Sequence, residues 1–311
     1  MRHQVVPTYQ KEVRMKHKLM FKFLMVTLTF FVTCGLGIAA TFDMAGSYLN
    51  VGMSNTGGLI DDSYDVGLQF DPTGTANFTN APDILKPDTP FEFYAVAING
   101  VDEGPNGFGF NNSNYVMTST KVGPLVASTA GVVGGLAITV QTTVVSGKEV
   151  LFNVDFINFS GAPMNVQYAR GLDAKPDYEL GSSSTVNSIS AGMVTALGPL
   201  TGVAISIVDL SGGGVPTIQA PTSGGYGWAT SLATLSIPMK AGNYGDSDSS
   251  INMYWNLGTI PNLASKDISF AYELSAVTPV PLPPALLLLA PGLAGLAAAR
   301  SRFRSEASSK G

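Results

Sequence analysis

The stretch that decides the fold is DISFAYELSAV, residues 267–277. Its side chains alternate with a period of two. Ile268, Phe270, Tyr272 and Leu274 would share one face, whereas serine, alanine and glutamate would occupy the other. Such alternation predicts a β-strand that turns one face toward a hydrophobic core. We therefore expect a core strand at 267–277.

The same alternation recurs along the middle of the chain. It predicts core strands at 91–99, 149–158 and 203–208, and the β-branched run 135–145 is expected to pair with 149–158 as a hairpin. Further strands are predicted at 47–53, 66–71, 114–120, 163–169, 184–197 and 250–258, with one short helix within 226–235. The expected fold class is all-β, an antiparallel two-sheet β-sandwich.

Charge divides the chain into three parts. Residues 41–277 carry seven basic and twenty acidic residues, a net charge of −13, whereas 1–40 and 278–311 are both basic. A strongly acidic body argues against nucleic acid as a partner, because binding to phosphates needs lysine and arginine. The expected domains are a signal peptide (1–40), a β-sandwich body (41–277) and a C-terminal sorting region (278–311). A subdivision of the body is expected near 120–135, where Pro124 and a run of small residues are typical of a connector.

The rarest residues exclude several kinds of chemistry. His3, His17 and Cys34 are the only histidines and cysteine, and all three precede residue 41. If that segment is removed, the mature chain has no Ser-His-Asp triad, no Cys-His pair and no zinc site with histidine or cysteine ligands. The sequence therefore favours a protein that is not an enzyme and holds no cofactor.

The N-terminal segment has the three parts of a signal peptide. Lysines lie within 16–22, an apolar run predicted to be helical covers 23–38, and small residues precede a cleavage site between Ala40 and Thr41. Met1 and Met15 both remain open as the start. A retained membrane anchor and a lipoprotein acylated at Cys34 are the alternatives. In each case the chain is expected to use the Sec export machinery.

The C-terminal region is the most specific pattern in the sequence. It consists of Val280, Pro281, Leu282 and Pro283, an apolar segment from Ala285 to Ala299, and the basic residues Arg300, Arg302 and Arg304. The prolines keep the chain extended before the apolar segment, which can enter a bilayer as a short helix. The arginines that follow stay on the cytoplasmic side. The segment is shorter than the ~20 residues of a full span, which favours transient retention in the inner membrane.

This order of features resembles the PEP-CTERM sorting signals of Gram-negative bacteria, in the variant with a Val-Pro-Leu-Pro core. The resemblance covers about 25 residues and departs from the pattern at Pro284 and at Ser301 and Phe303 between the arginines. It implies processing by an exosortase, a peptidase-like membrane enzyme of organisms that export polysaccharide. The implied destination is the outer surface or the extracellular matrix, with exopolysaccharide as a partner.

Within the body, the densest polar cluster is 168–179. Its Arg170, the single arginine of 41–277, is expected at a sheet edge or in a loop. Asp173, Asp177 and Glu179 could ligate Ca²⁺, could act as catalytic carboxylates, or could belong to a solvated loop in which Arg170 forms a weak surface ion pair. Two further acidic loops, Asp61-Asp62 with Asp65 and Asp246 to Asp248, are weaker candidates for cation binding.

Two other features have both a functional and a structural interpretation. The glycine-rich pieces 104–110 and 211–214 match no phosphate-binding motif and are predicted to be turns. Four aromatic residues could stack on sugar rings or fill the core: Tyr226, Trp228, Tyr244 and Trp255. The functional hypotheses are a non-enzymatic adhesion, matrix or polysaccharide-associated protein and, as alternatives, a carbohydrate-active enzyme that uses carboxylates alone or a carbohydrate- or calcium-binding module.

Overall fold

A computed structural model describes residues 42–60, 66–85, 92–107, 116–145, 147–219 and 232–276. These residues belong to one compact unit that ends at Ala276. The predicted cleavage site at Ala40 and Thr41, and the whole region 278–311 with its motif, apolar segment and arginines, lie outside the described residues. The two flanking helices of the expected fold lie there too.

The chain is nearly all β, and every paired strand is antiparallel. The strands, in chain order, are β1 (Phe42–Ala45), β2 (Leu49–Met53), β3 (Leu68–Phe70), β4 (Glu92–Ile98), β5 (Val101–Gly107), β6 (Val116–Gly123), β7 (Val126–Val133), β8 (Leu136–Val144), β9 (Glu149–Asn158), β10 (Met164–Leu172), β11 (Thr185–Ser190), β12 (Met193–Leu197), β13 (Val203–Asp209), β14 (Gly214–Gln219), β15 (Gly242–Ser247), β16 (Ser250–Ile260) and β17 (Ser265–Ala276). A 3₁₀ turn (Tyr178–Leu180) and a short helix α1 (Leu232–Leu235) complete the described elements.

The strands form three sheets. The small sheet has the order β1-β2-β3, the five-stranded sheet β14-β16-β10-β4-β5, and the nine-stranded sheet β15-β11-β12-β13-β17-β9-β8-β7-β6. Strand β17 lies inside the nine-stranded sheet, between β13 and β9. The last strand of the body therefore joins two series of hairpins that precede it in the chain.

The strands with clear alternation are confirmed. The predicted inward residues of β17, from Ile268 to Leu274 in steps of two, are buried, and so are Val150, Phe152, Val154 and Phe156 of β9. The predicted hairpin between β8 and β9 is present, with Val144 opposite Val150. Side chains that alternate with a period of two place the apolar residues of a strand on one face, and burial of that face removes them from water.

Two predictions about loops are wrong. Residues 104–107 extend strand β5 instead of forming a turn, and residues 128–133 form most of β7 instead of a connector. In both places glycine, proline or small residues interrupt the alternation of apolar and polar side chains, so the sequence shows no strand pattern. The strands form because neighbouring strands supply the hydrogen bonds that fix the backbone. Of the predicted helix at 226–235, the part within the described residues is α1.

The five- and nine-stranded sheets meet through aromatic rings. The ring of Tyr168 on β10 lies 5.4 Å from that of Phe156 on β9, and the ring of Trp255 on β16 lies 5.1 Å from that of Phe270 on β17. Strand β4 is buried along its whole length, because its other face packs under α1. The five-stranded sheet, which carries Arg170, is therefore covered on both faces where α1 packs against it.

Three edge strands carry residues that discourage pairing with another chain. The edges of the five-stranded sheet contain Pro105 on β5 and Pro216 on β14, and proline has no N–H to donate. The edge strand β6 of the nine-stranded sheet carries an exposed lysine, Lys121. Such residues protect a sheet from edge-to-edge aggregation.

Candidate functional site

The candidate site lies around Arg170, and its position differs from the sequence prediction. Arg170 lies within β10 and is completely buried, so the prediction of a sheet-edge or solvated position is wrong. The residue is held inward because it alternates with Val166 and Tyr168, which face the main core. A charged side chain at such a position requires a partner, since burial of an unpaired charge is very costly.

That partner is Glu92, at the start of β4. The Nε of Arg170 donates a hydrogen bond to Oε1 of Glu92, and both side chains are fully buried. The hydroxyl of Tyr272 donates to the same oxygen over 2.8 Å, and Arg170 Nε lies 3.2 Å from that hydroxyl. The ion pair thus joins the five-stranded sheet to β17 of the nine-stranded sheet.

Aromatic rings surround the guanidinium group. Its Cζ lies 4.7 Å from the ring centroid of Phe152 and 5.4 Å from that of Tyr94. The electron-rich face of an aromatic ring attracts a cation, and this attraction grows when water is absent. The rings therefore replace part of the hydration that Arg170 loses on burial.

The same cluster holds the loop 54–60 that follows β2. Glu92 Oε2 accepts a hydrogen bond from the backbone N–H of Leu59 (3.0 Å), Arg170 Nη2 donates to the carbonyl of Gly57 (3.3 Å), and the Tyr94 hydroxyl donates to the carbonyl of Thr56 (2.6 Å). Gly57 has a φ of +90°, and a Cβ there would lie 2.6 Å from Thr129 Cγ2. Only glycine fits this position without strain.

The buried charges change the pKa values of the cluster. Burial opposes the charge of Arg170, but the carboxylate of Glu92 beside it raises the pKa of Arg170 well above its usual value. Burial, followed by the charge of Glu92, raises the pKa of Tyr272 well above its usual value. Burial also raises the pKa of Tyr168, against the opposing effect of Arg170. Arg170 therefore stays charged and the tyrosines stay neutral near neutral pH.

The arrangement serves packing better than chemistry. The side chains of Glu92, Tyr94, Tyr168, Arg170 and Tyr272 are all completely buried, so no substrate reaches them in this conformation. A general acid or base must come within hydrogen-bond distance of its substrate. The cluster is therefore a polar clamp between sheets, which we call the Arg170 clamp.

The second part of the predicted segment forms a separate buried group. Lys175 Nζ lies 3.6 Å from Asp173 Oδ2 and 4.0 Å from Asp248 Oδ1, and both Lys175 and Asp173 are buried. The prediction of a solvated loop is therefore wrong for these residues as well. Lysine among carboxylates satisfies their charge within the protein.

Asp177 connects two turns. Its Oδ2 accepts a hydrogen bond from the N–H of Leu200 (2.7 Å), and its Oδ1 accepts from the N–H (2.8 Å) and hydroxyl (2.5 Å) of Thr201. Glu179, by contrast, is exposed on the 3₁₀ turn. The calcium prediction for Asp173, Asp177 and Glu179 thus involves one carboxylate beside a lysine, one bonded to a turn, and one in solvent. Among the residues that the structure describes, no group of three His, Cys, Asp or Glu side chains is placed to hold a metal ion.

The other candidate binding residues lie either in or against the core or outside the described residues. Trp255 is a core residue, and its indole Nε1 donates to Asp209 Oδ1 over 3.1 Å. Tyr244 is partly buried against the core. Asp61, Asp62, Asp65, Tyr226 and Trp228 lie outside the described residues. In the described ranges, no helix has both the length and the apolar character needed to cross a bilayer.

Sequence reasoning missed Glu92, although a signal was present. Glu92 shares its predicted face with Tyr94 and Val96, and Arg170 shares its face with Tyr168 and Val166. One acid and one base, each alone on an otherwise apolar strand face, would be expected to pair inside the core. Their separation of 78 positions along the chain hid the pair.

A further buried carboxylate, Asp71, is bound by its own loop. Its Oδ1 accepts from the N–H (2.9 Å) and hydroxyl (2.5 Å) of Thr73, and its Oδ2 accepts from the N–H and hydroxyl of Thr75, both at 2.9 Å. The Thr73 hydroxyl is the strongest of the contacts that hold the pKa of Asp71 far below its usual range. These bonds favour the ionised carboxylate in the folded state.

Asp71 is expected to make stability depend on pH at the acidic end. A folded-state pKa below the unfolded value gives a stabilisation that is complete above the ordinary carboxyl pKa of about 4 and is lost as the pH falls below it. Urea unfolding of the wild type and of Asp71→Asn should therefore differ most near neutral pH and converge in acid. Thr73→Val removes the main hydrogen-bond donor to Asp71, so in this background Asp71→Asn should change the free energy of unfolding by less. A constant gap across the pH range would contradict this account.

Comparisons with known proteins give distant structural likeness alone. No protein-family model and no curated protein matches the chain. A GalM/aldose epimerase homologue from C. elegans is 11% identical with a TM-score of 0.47, covering 77% of this chain and 100% of that chain. A bacterial glucoamylase in complex with acarbose is 11% identical with a TM-score of 0.48, covering 78% of this chain and 34% of that chain. The Slr1438 protein from Synechocystis is 8% identical with a TM-score of 0.35, covering 78% and 99%. Similarities this distant support no assignment of activity.

Proposed function

We propose that the chain is an exported, non-enzymatic surface or extracellular-matrix protein of a Gram-negative bacterium, sorted by an exosortase. The observation that carries the proposal is the order of features at 280–304: a Val-Pro-Leu-Pro motif, an apolar segment and an arginine cluster. Arginines that follow an apolar segment favour a cytoplasmic tail, which places the body on the other side of the membrane.

We further propose that the body is a two-sheet sandwich, with the five- and nine-stranded sheets as its layers. The aromatic contacts between Tyr168 and Phe156 and between Trp255 and Phe270 support this arrangement, and so does the Arg170 clamp. Inner faces that interdigitate are the usual core of a sandwich. The 41–277 body contains no cysteine, so the inter-sheet contacts would replace disulfides in an oxidising environment.

The use of the buried carboxylates supports a non-enzymatic role. Glu92 is bonded to Arg170, Asp71 to its own loop and Asp177 to Thr201, and Asp173 forms an ion pair with Lys175. A glycosidase that uses carboxylates alone needs two such groups facing each other across a substrate. Carboxylates committed to structural hydrogen bonds and ion pairs serve the fold instead.

The outer face of the nine-stranded sheet suits association with a neutral polysaccharide. A row of three hydroxyl and amide side chains crosses adjacent strands in register: Gln141, which is exposed, and Asn153 and Ser269, which are partly exposed. The Ser269 hydroxyl donates to Asn153 Oδ1 over 2.8 Å. Uncharged donors and acceptors of this kind match sugar hydroxyls and do not require a charged polymer.

The intact mass of the protein from its native host, measured by cell fraction, tests the proposal. We expect a mass that matches roughly residues 41–280 plus any modification, found outside the inner membrane and together with exported polysaccharide. Replacing Pro281 and Pro283 by alanine should leave the unprocessed chain in the inner membrane. Pro284→Ala, just outside the motif, is the matched control and should be processed normally. A wild-type chain that keeps residues 285–304 in the inner membrane would refute sorting.

A further inference from the structure

Four turns meet at one end of the body. They are 99–101, 133–136, 158–163 and 260–264, and none contains Asp, Glu, Lys or Arg. Backbone bonds join three of them: the N–H of Phe159 donates to the carbonyl of Gly135 over 2.9 Å, and the N–H of Leu263 donates to the carbonyl of Asn158 over 2.7 Å. The fourth, 99–101, is bonded to the start of β10, where the N–H of Asn99 donates to the carbonyl of Asn165 over 2.8 Å. We call these four turns the neutral tip.

The neutral tip exposes large apolar side chains. Phe159 is 42% exposed, Leu263 is 48% exposed and Val101 is 61% exposed. Leu263 also has a φ of +61°, in the left-handed region that bulky residues rarely adopt. Asparagine or glycine would relieve the strain and remove the exposed apolar surface. Because both the backbone conformation and the exposure of Leu263 are unfavourable, this leucine points to a role other than stability.

Asparagine side chains bond part of the backbone of the neutral tip. Asn158 Nδ2 donates to the carbonyls of Ala162 (2.7 Å) and Ile260 (2.8 Å), and its Oδ1 accepts from the N–H of Ser160 (2.9 Å). Asn262 Oδ1 accepts from the N–H of Gly161 over 2.9 Å. These bonds matter because unsatisfied backbone groups are the main cost of moving a turn out of water.

Absence of charge, exposed apolar side chains and internally bonded backbone groups together fit a lipid surface. We propose that the neutral tip inserts into a phospholipid bilayer, with Phe159 and Leu263 entering the boundary between headgroups and acyl chains. The acidic body, with a net charge of −13, favours a zwitterionic surface, because anionic lipids would repel it. A second copy is a poorer occupant, since a stable protein interface needs about 20–30 residues on each side.

Tryptophan fluorescence in vesicles tests the proposal on the full chain. Phe159→Trp places a reporter on the tip, and Leu180→Trp places a matched reporter on an exposed leucine of the 3₁₀ turn, beside Glu179. With phosphatidylcholine vesicles whose acyl chains carry bromine, we expect a blue shift and quenching for the first variant and neither for the second. Because the comparison is made within one chain, membrane binding by the terminal segments does not imitate the result. Equal quenching of both reporters, or of neither, would overturn the proposal.

A second substitution separates insertion from folding. Leu263→Asn, added to the Phe159→Trp reporter, should reduce the quenching while the free energy of unfolding stays equal or rises, because asparagine tolerates a positive φ. Unchanged quenching would contradict the role of Leu263. A concentration-dependent dimer that Leu263→Asn abolishes would assign the tip to a second copy instead. Processing of the chain in its host is measured independently, so either proposal can fail alone.

Discussion

Replacing Arg170 by methionine is expected to lower the free energy of unfolding by about 3–5 kcal/mol, because Glu92 would remain buried with its charge unpaired. Glu92 and Arg170 are both fully buried, so solvent does not screen the loss. The double variant Arg170→Met with Glu92→Gln removes both charges and keeps an acceptor for the Leu59 N–H. It should recover more than half of the lost stability.

Urea unfolding of the four proteins in this cycle measures the effect. Glu149→Gln, a half-buried glutamate on the outer face of β9, is the matched control and should change stability by no more than about 0.5 kcal/mol. A single Arg170→Met variant within about 1 kcal/mol of the wild type would show that the clamp contributes little. The same would follow if the double variant were no better than the single one.

Phe152→Ala should have a similar effect, about 3–5 kcal/mol, through loss of packing on the inner face of the nine-stranded sheet. The ring of Phe152 stacks 4.7 Å from that of Phe270 and lies 4.9 Å from that of Tyr272. It also covers the Arg170 guanidinium. Truncation therefore creates a cavity and weakens the clamp at once.

Leu151→Ala provides the comparison for Phe152. Leu151 is the preceding residue on the same strand, lies on the opposite face and is partly exposed. Its truncation should cost about 1 kcal/mol, since less apolar surface returns to water. Denaturant unfolding with equal losses for both variants would mean that the two faces of β9 are buried alike, against the structure.

The sequence predicted the strands that have one buried face and missed those that do not show alternation. Strand β17 and its neighbour β9 keep apolar residues at every second position, and both were identified. Strand β5 contains Gly104, Pro105 and Gly107, so its pairing with β4 depends on tertiary context that local propensity does not contain. Strand β7, rich in small residues, was missed for the same reason.

The site was harder to predict than the fold. Asp173, Lys175 and Asp177 form a polar run that is typical of a surface loop, and their burial depends on partners far along the chain, such as Asp248 and Thr201. Arg170 was singled out, but its partner Glu92 lies on a different strand. Pairing of this kind follows from sheet register, which a single sequence does not reveal beyond its hairpins.

The position of β17 affects when the body can fold. This strand fills the gap between β13 and β9, so the nine-stranded sheet has two open edges until residues 265–276 are available. A chain threaded through a membrane channel from its N-terminus would therefore stay incomplete, and easier to thread, until almost the whole body has crossed. Cleavage or premature termination before Ser265 would leave two partial sheets, each with an unprotected apolar edge. Such fragments are expected to aggregate or be degraded, so the body becomes stable only when its final strand is present.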